Sequence, residues 1–226
     1  LPTPQITKEA KLKRLVSKTN RWEDHYARRA KKEHFPARSV YKLQEIQHRY
    51  KLIKKGDKVL DLGCFPGSWL LYIADLIGPK GEVIGIDPKP VSIKLPSNTQ
   101  IYSADVLALD DELRESIGRN FNVLLSDMAP ETTGNKHVDA ARSLELCQAA
   151  LFYAQNLLIR NGSFVCKIFQ GADFKQFTDS VGTTFNQHKI FKPQSTRKAS
   201  KEIYIIGIGK KGGVNVRSQQ MVEHKT

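Results

Sequence analysis

No apolar run in the 226 residues approaches the roughly 18 needed to cross a bilayer, so no membrane-spanning helix is expected. The N-terminal stretch is polar and basic and lacks the apolar core of a secretory signal, so export is not expected and a cytoplasmic location is. Cysteine is scarce: Cys64, Cys147 and Cys166 stand far apart with no CxxC pair, which argues against a disulfide framework and against a thiolate metal site. The six histidines form no recognised ligand spacing and no carboxylate cluster joins them, so no metal is expected and metal-dependent hydrolysis is a weak reading. Acidic residues are short as well. Thirty-six Lys and Arg against 23 Asp and Glu leave a formal charge of +13, which points to a polyanionic partner without choosing among RNA, DNA and an anionic membrane.

What is present reads as one α/β domain with flanking segments. Residues 8–38 hold eleven basic and four acidic side chains, a net of +7, so residues 1–38 are expected to form a basic arm or surface helix. A helix is predicted over Ser39 to Tyr50, where Val40, Leu43, Ile46 and Gln47 share one face. From Lys58 the chain alternates strand and helix. Strands are predicted at Lys58 to Leu62, Glu82 to Asp87, Gln100 to Ser103, Phe121 to Asp127, Ser163 to Phe169, His188 to Phe191 and Glu202 to Ile208. Helices are predicted after Gly67, over Val138 to Leu158 and over Phe174 to Phe185. Gly162 suits a turn leading into the fifth strand, and the glycosylation-like Asn161-Gly162-Ser163 carries no functional weight there. This alternation implies a mostly parallel sheet covered by helices on both faces, with a late antiparallel pair. The domain is expected over residues 39–209 and a flexible tail over 210–226.

In such a sheet ligands bind where loops diverge at the carboxyl ends of the strands. The loop Asp61-Leu62-Gly63-Cys64-Phe65-Pro66-Gly67 offers glycines where backbone must come close to a ligand, yet it is not the GxGxxG of dinucleotide enzymes. Asp87 ends the second strand, where a carboxylate can accept both ribose hydroxyls of an adenosine. Asp105 follows the third strand and can receive an adenine amino group, and Asp61 can face an ammonium. The fourth strand ends in Asp127-Met128-Ala129-Pro130. An amine methyltransferase that flips out a base often has Asn or Asp, Pro-Pro and an aromatic there, and this chain does not.

The segments Ser39-Val40-Tyr41-Lys42-Leu43-Gln44-Glu45-Ile46, Val59 to Gly67, Leu125-Ser126-Asp127-Met128-Ala129-Pro130 with Thr133-Gly134, Cys166-Lys167-Ile168-Phe169-Gln170-Gly171 and Ser200-Lys201-Glu202-Ile203-Tyr204 occur in a fixed order with similar spacing. In this set the chain resembles the FtsJ family of RNA ribose 2′-O-methyltransferases, most closely its large-subunit ribosomal RNA branch. The resemblance implies a class I methyltransferase (Rossmann-like) fold with a seven-stranded sheet, S-adenosylmethionine as donor, and a ribose 2′-hydroxyl of RNA as acceptor. It further implies a uridine of large-subunit RNA, within an assembled subunit or free, as the target. The family's catalytic Lys, Asp, Lys, Glu constellation corresponds to Lys42, Asp127, Lys167 and Glu202. Its cofactor residues correspond to a set around the first loop and the strand ends: Asp61, Gly63, Cys64, Pro66, Gly67, Ser68, Trp69, Asp87, Asp105 and Asp127. Cys64, Phe65 and Ser68 depart from the smaller residues common in that loop. A monomer is expected.

Independently of the resemblance, the predicted topology brings Asp127, Lys167 and Glu202 to one neighbourhood, and Lys42 must arrive from the preceding helix. In-line attack on a sulfonium methyl depends at least as much on positioning as on proton transfer. Lys167 is the group expected to touch the hydroxyl, as a base when neutral or an orienting donor when charged; the sequence does not decide which. Arg38, Arg197, Lys198 and Lys201 are expected to contact RNA beside Glu202, and Lys11, Lys13, Arg14, Lys18, Arg21, Arg28, Arg29, Lys31 and Lys32 to attract its phosphates. Trp22 and Tyr26 are candidate base-stacking residues. A nicotinamide oxidoreductase accounts for Asp87 but not for the four-residue set. A noncatalytic RNA-binding protein accounts only for the charge, and transfer RNA is the rival substrate.

Overall fold

A computed structural model describes residues 25–212. Lys11, Lys13, Arg14, Lys18, Arg21, Trp22 and the tail beyond residue 212 lie outside the described residues. The helices are α1 (Val40–Tyr50), α2 (Ser68–Ile77), α3 (Asp111–Ile117), α4 (Lys136–Leu157) and α5 (Phe174–Thr184). The strands are β1 (Lys58–Leu62), β2 (Glu82–Ile86), β3 (Thr99–Tyr102), β4 (Phe121–Ser126), β5 (Leu158–Phe169), β6 (Phe185–Phe191) and β7 (Glu202–Lys210). They form one seven-stranded sheet in the order β3-β2-β1-β4-β5-β7-β6. β1 through β5 pair in parallel, and β7 inserts antiparallel between β5 and β6.

Strands buried on both faces read as unbroken apolar runs, and this is why β1, β2 and β4 carry Val, Leu and Ile at successive positions. One face packs on α1 and α2 through Leu43, Ile46, Trp69, Leu70 and Ile73 against Val59, Val83, Val165 and Tyr204. The other packs on α4 and α5 through Cys147, Leu151, Ala154, Phe177 and Val181 against Leu60, Leu124, Phe164 and Cys166. β1 sits between β2 and β4, so the chain leaves β1 toward opposite sides of the sheet. Its carboxyl end, beside that of β4, is the crevice where such sheets bind ligands.

Three elements differ from the sequence reading. β5 begins at Leu158 rather than Ser163. Asn161 takes φ 65° and the register slips between Leu158, opposite Phe121, and Ser163, opposite Val123. Gly162 therefore lies in a bulge within the strand, where an added Cβ would stand 3.0 Å from the Ile159 carbonyl oxygen and 3.1 Å from that of Asn122. α3 was not expected; its signal was Asp110, whose side chain accepts from Leu113 N at 2.7 Å, with Gly118 closing the far end. β6 begins at Phe185 rather than His188; with β7 it makes the expected antiparallel edge, β7 lying next to β5.

Residues 25–32 are helical and do not hang free. Ala30 is buried with Val40 and Tyr41, Tyr26 and Phe35 pack on them, and Tyr41 Oη donates to Glu33 Oε2 at 3.1 Å. Among the described residues no helix is long and apolar enough to cross a membrane. None of their His, Cys, Asp and Glu side chains gather in threes to hold a metal ion.

Candidate active site

Because β7 runs antiparallel to β5, its first residue falls at the carboxyl end of β5: Glu202 lies opposite Phe169 and Tyr204 opposite Lys167. Lys167 and Val165 share one face of β5, and Val165 belongs to the layer under α1. The same face therefore receives Lys42 from α1. Lys42 Nζ meets Glu202 Oε1 at 2.5 Å, and Lys167 Nζ meets Asp127 Oδ1 at 2.9 Å. Lys167 also donates to the Asp127 carbonyl oxygen at 2.5 Å. All four groups expected to be catalytic are thus drawn together as two adjoining ion pairs. Lys167 is only 6% exposed, so these pairs are not screened as surface pairs are.

Tyr204 is a fifth member that sequence reasoning passed over. Its hydroxyl donates to Asp127 Oδ1 at 2.6 Å from a fully buried ring. The signal was its place two residues after Glu202 on a strand, where alternation gives both side chains one face. Burial pushes the Asp127 carboxyl up, but Lys167, then Lys42 and the Tyr204 hydrogen bond outweigh it and hold the group below the ordinary aspartate value. Burial above all, and then the charges of Asp127 and Glu202, push the Tyr204 phenol well above its usual range, so it stays a donor. Tyr204→Phe is expected to lower methyl transfer about tenfold, the equivalent of roughly 1.4 kcal/mol and of one hydrogen bond to a charged group. Donor affinity should hold. A rate equal to the parent's in single-turnover assays would mean that Lys167 alone orients Asp127.

Around the crevice, Asp61 is wholly buried in β1 between Gly85 of β2 and Leu125 of β4. Neither carboxylate oxygen has a hydrogen-bond partner. Burial, then the charges of Asp127 and Asp87, push Asp61 well above its ordinary value. A buried acid with both oxygens unanswered is suited to a cationic ligand group. Gly63 (φ 78°) and Gly67 (φ 102°) take left-handed backbone. A Cβ on Gly63 would stand 2.6 Å from Met128 Cγ, and one on Gly67 would stand 2.7 Å from Ile93 Cδ1. The chain itself fills those spaces, so the loop is held open-backed against the β4 loop and the segment after β2.

The remaining predicted positions divide. Asp87 accepts Phe65 N at 3.0 Å and Lys89 N at 2.8 Å, which ties the first loop to the end of β2. Pro66 follows a cis peptide bond in that loop. Asp105 is exposed and caps a short 3-10 turn through Leu107 N at 2.9 Å. Cys64 is buried against Gly85, and burial first of all, with Asp61 and Asp87 behind it, pushes its thiol up. Ser68 and Trp69 serve the scaffold: Ser68 Oγ accepts Ala37 N at 2.7 Å and Trp69 Nε1 donates to Ser39 O at 2.9 Å. Both anchor the segment that leads into α1 and so fix where Lys42 starts.

Of the groups expected to meet RNA, Arg197, Lys198 and Lys201 are exposed in the loop between β6 and β7. Arg38 Nη2 donates to Ser195 O at 2.6 Å, and Glu45 accepts Gln194 N at 2.6 Å and Ser195 N at 2.9 Å. The loop is thereby clamped to α1, next to Glu202.

A doubly covered sheet of this strand order, with an unanswered buried acid at its crevice and a lysine held on an aspartate, defines a class I methyltransferase of the kind that draws on S-adenosylmethionine. The sequence profile of FtsJ-like methyltransferases matches residues 35–210, and the chain belongs to that family. Among its relatives, a protein of Desulforapulum autotrophicum named ribosomal RNA large subunit methyltransferase E is 57% identical over 198 residues, 88% of this chain and 98% of the relative. One of the same name from Desulfatibacillum aliphaticivorans is 53% identical, covering 88% and 96%. A Plasmodium falciparum crystal structure, described as a ribosomal RNA methyltransferase, superposes with a TM-score of 0.68 at 25% identity, covering 79% of this chain and all of that one. An rRNA-methylase structure from Clostridium thermocellum, at 18% identity and a TM-score of 0.52, shares the fold.

Proposed function

We propose that this protein transfers a methyl group from S-adenosylmethionine to the ribose 2′-hydroxyl of a uridine in large-subunit ribosomal RNA, with the assembled subunit as its substrate. The observation that carries the chemistry is the Lys167 Nζ held on Asp127 beside the Lys42 and Glu202 pair, at the mouth of the crevice. The RNA class rests on the names of the relatives over nearly their whole length.

The donor supplies a methyl group on a positively charged sulfur with a good leaving group. Asp61 would answer its ammonium, the backbone of Gly63, Cys64, Pro66 and Gly67 would hold its amino-acid part, and Asp87 and Asp105 would take its ribose and adenine ends. Ser68 and Trp69 act at one remove, by holding the loop. Lys167 directs two contacts at Asp127, one to Oδ1 and one to the carbonyl. A lysine amine has two N–H groups and a lone pair, and an ammonium has a third N–H instead, so one direction at Nζ is left for the 2′-hydroxyl in either form. Asp127 stays ionised at neutral pH and keeps Nζ in place; Glu202 holds Lys42, whose charge faces the same cleft. Positioning of this kind is worth several powers of ten when the reacting atoms must be in line. Arg38 sets the β6–β7 loop so that Arg197, Lys198 and Lys201 meet phosphate, and the basic side chains of residues 11–32 add attraction. The enzyme works as a cytoplasmic monomer.

The test is to supply labelled methyl donor with separated ribosomal RNAs, transfer RNA and intact large subunits, and to identify the methylated nucleoside. The expected product is 2′-O-methyluridine in large-subunit RNA. A base-methylated nucleoside would overturn the ribose assignment, and 2′-O-methylation confined to transfer RNA would move the substrate.

A further inference from the structure

A cavity of about 340 Å³ opens where β5 ends, between the first turns of α4 and α5. It is lined by Lys136 and His137 of α4, Phe169 and Gln170 at the end of β5, Phe174 of α5, and Lys201. Its volume sits at the low end of the roughly 300–1,000 Å³ of small-ligand sites. Phe169 lies two residues beyond Lys167 on the same strand, about 6–7 Å at roughly 3.3 Å per residue. Lys201 directly precedes Glu202, and Gln170 N is bonded to the Lys201 carbonyl at 3.2 Å. The cavity therefore begins about one step of an extended chain from the lysine assigned to the hydroxyl, reached around the end of β5, since Ile168 and the α4 side chains place it on the α4/α5 side of the sheet and Lys167 faces α1.

Its lining has the composition of a single-strand nucleic-acid site. Phe169 and Phe174 are half-buried and give it apolar walls, Gln170 brings an amide, and Lys136, His137 and Lys201 are exposed at its rim against one acid, Asp173. Lys42 and Lys167 have their charges committed to carboxylates, whereas Lys136 and Lys201 make no ion pair among the described residues. Side-chain truncation at the α4 start should not unwind it, because Asn135 caps it through the backbone amides of His137 and Val138.

We infer that this cavity is the subsite for the nucleotide next to the one being methylated: its base enters against Phe169 and Phe174, and its phosphate is met by Lys136, His137 and Lys201. The inference rests on the proposed RNA substrate. By gripping the neighbour, the protein pulls the target ribose out of a stacked strand and sets its hydroxyl at Lys167.

The experiment uses the full chain and the large ribosomal subunit, with two readouts. In the first, p-benzoylphenylalanine replaces His137, the complex is irradiated, and the cross-linked and methylated nucleotides are mapped together. The cross-link is expected within about two nucleotides of the methyl group. In the second, the Lys136→Ala, His137→Ala double variant is expected to lose about tenfold or more in kcat/KM for RNA, with KM for the methyl donor unchanged. Its salt dependence of RNA binding should become shallower by about one unit of slope, as for one lost phosphate contact. A distant cross-link, or a double variant with unchanged RNA kinetics, overturns the subsite while 2′-O-methyl product still forms. Absence of any 2′-O-methyl nucleoside with the parent protein would instead remove the functional reading, and the subsite with it.

Discussion

Lys167→Ala is expected to reduce single-turnover methyl transfer by about 10²- to 10⁴-fold, the usual scale for a positioned group acting on a proton. Saturating RNA should not restore it. The variant should fold, because Asp127 keeps its bond from Tyr204 and the charge of Lys42 nearby. It should be less stable at neutral pH by about 1–3 kcal/mol, below the full cost of breaking a fully buried pair because the Asp127 side chain retains 15% exposure. The sign of the pH dependence follows from the lowered Asp127 value. A carboxylate whose folded value lies below its unfolded one stabilises the fold above the ordinary aspartate range and loses that contribution as pH falls through the folded value. The stability gap between parent and variant should accordingly be widest near neutrality and close in acid. Calorimetric titration of the donor should give nearly the parent affinity. Parent-like transfer in a single turnover would dismiss Lys167 from the hydroxyl.

Asp61→Asn is expected to have two opposite effects. Burial raises Asp61, so between its ordinary value and its folded value the folded state binds the extra proton and stability falls as pH rises. Removing the charge should therefore make the free protein more stable at neutral pH. An advantage of about 1–3 kcal/mol would raise Tm by a few degrees in a chain of this size and fade as pH drops through the carboxylate range. The same change deletes the partner of the donor's ammonium, and donor affinity should fall about tenfold to hundredfold, as for losing roughly 1.5–3 kcal/mol of charged hydrogen bonding. Thermal melts with and without donor measure both. Undiminished donor affinity would take Asp61 out of the pocket. A loss of stability would mean that its charge is answered within the protein.

Much of this was legible in the chain. The central strands announce themselves because burial on both faces demands continuous apolar runs, and their ends carry Asp61, Asp87 and Asp127 at the points where the runs stop. The FtsJ-like motifs marked Lys42, Asp127, Lys167 and Glu202. Local pattern failed where a distant partner decides. Leu158 reads as the end of a helix and Asn161-Gly162 as a turn, yet the stretch pairs in part with β4 and becomes strand. Ser68 and Trp69 stand beside the glycine loop in sequence, but their polar atoms are taken by Ala37 and Ser39 from the segment before α1.

The sequence by itself determined the alternation of strands and helices, the excess positive charge and the four candidate residues that the resemblance marks. These depend on local periodicity and residue type. The sequence also pointed to a late antiparallel pair with Glu202 near Lys167, but only the tertiary structure decided the register of β7's insertion beside β5, Glu202 opposite Phe169 and Tyr204 opposite Lys167, because register is a choice among long-range pairings of similar local cost. From that one insertion follow the meeting of Glu202 with Lys42, the bond from Tyr204 to Asp127, and the cavity at the end of β5. The unpartnered state of the buried Asp61 carboxylate follows likewise from its neighbours on β2 and β4, which offer it no donor.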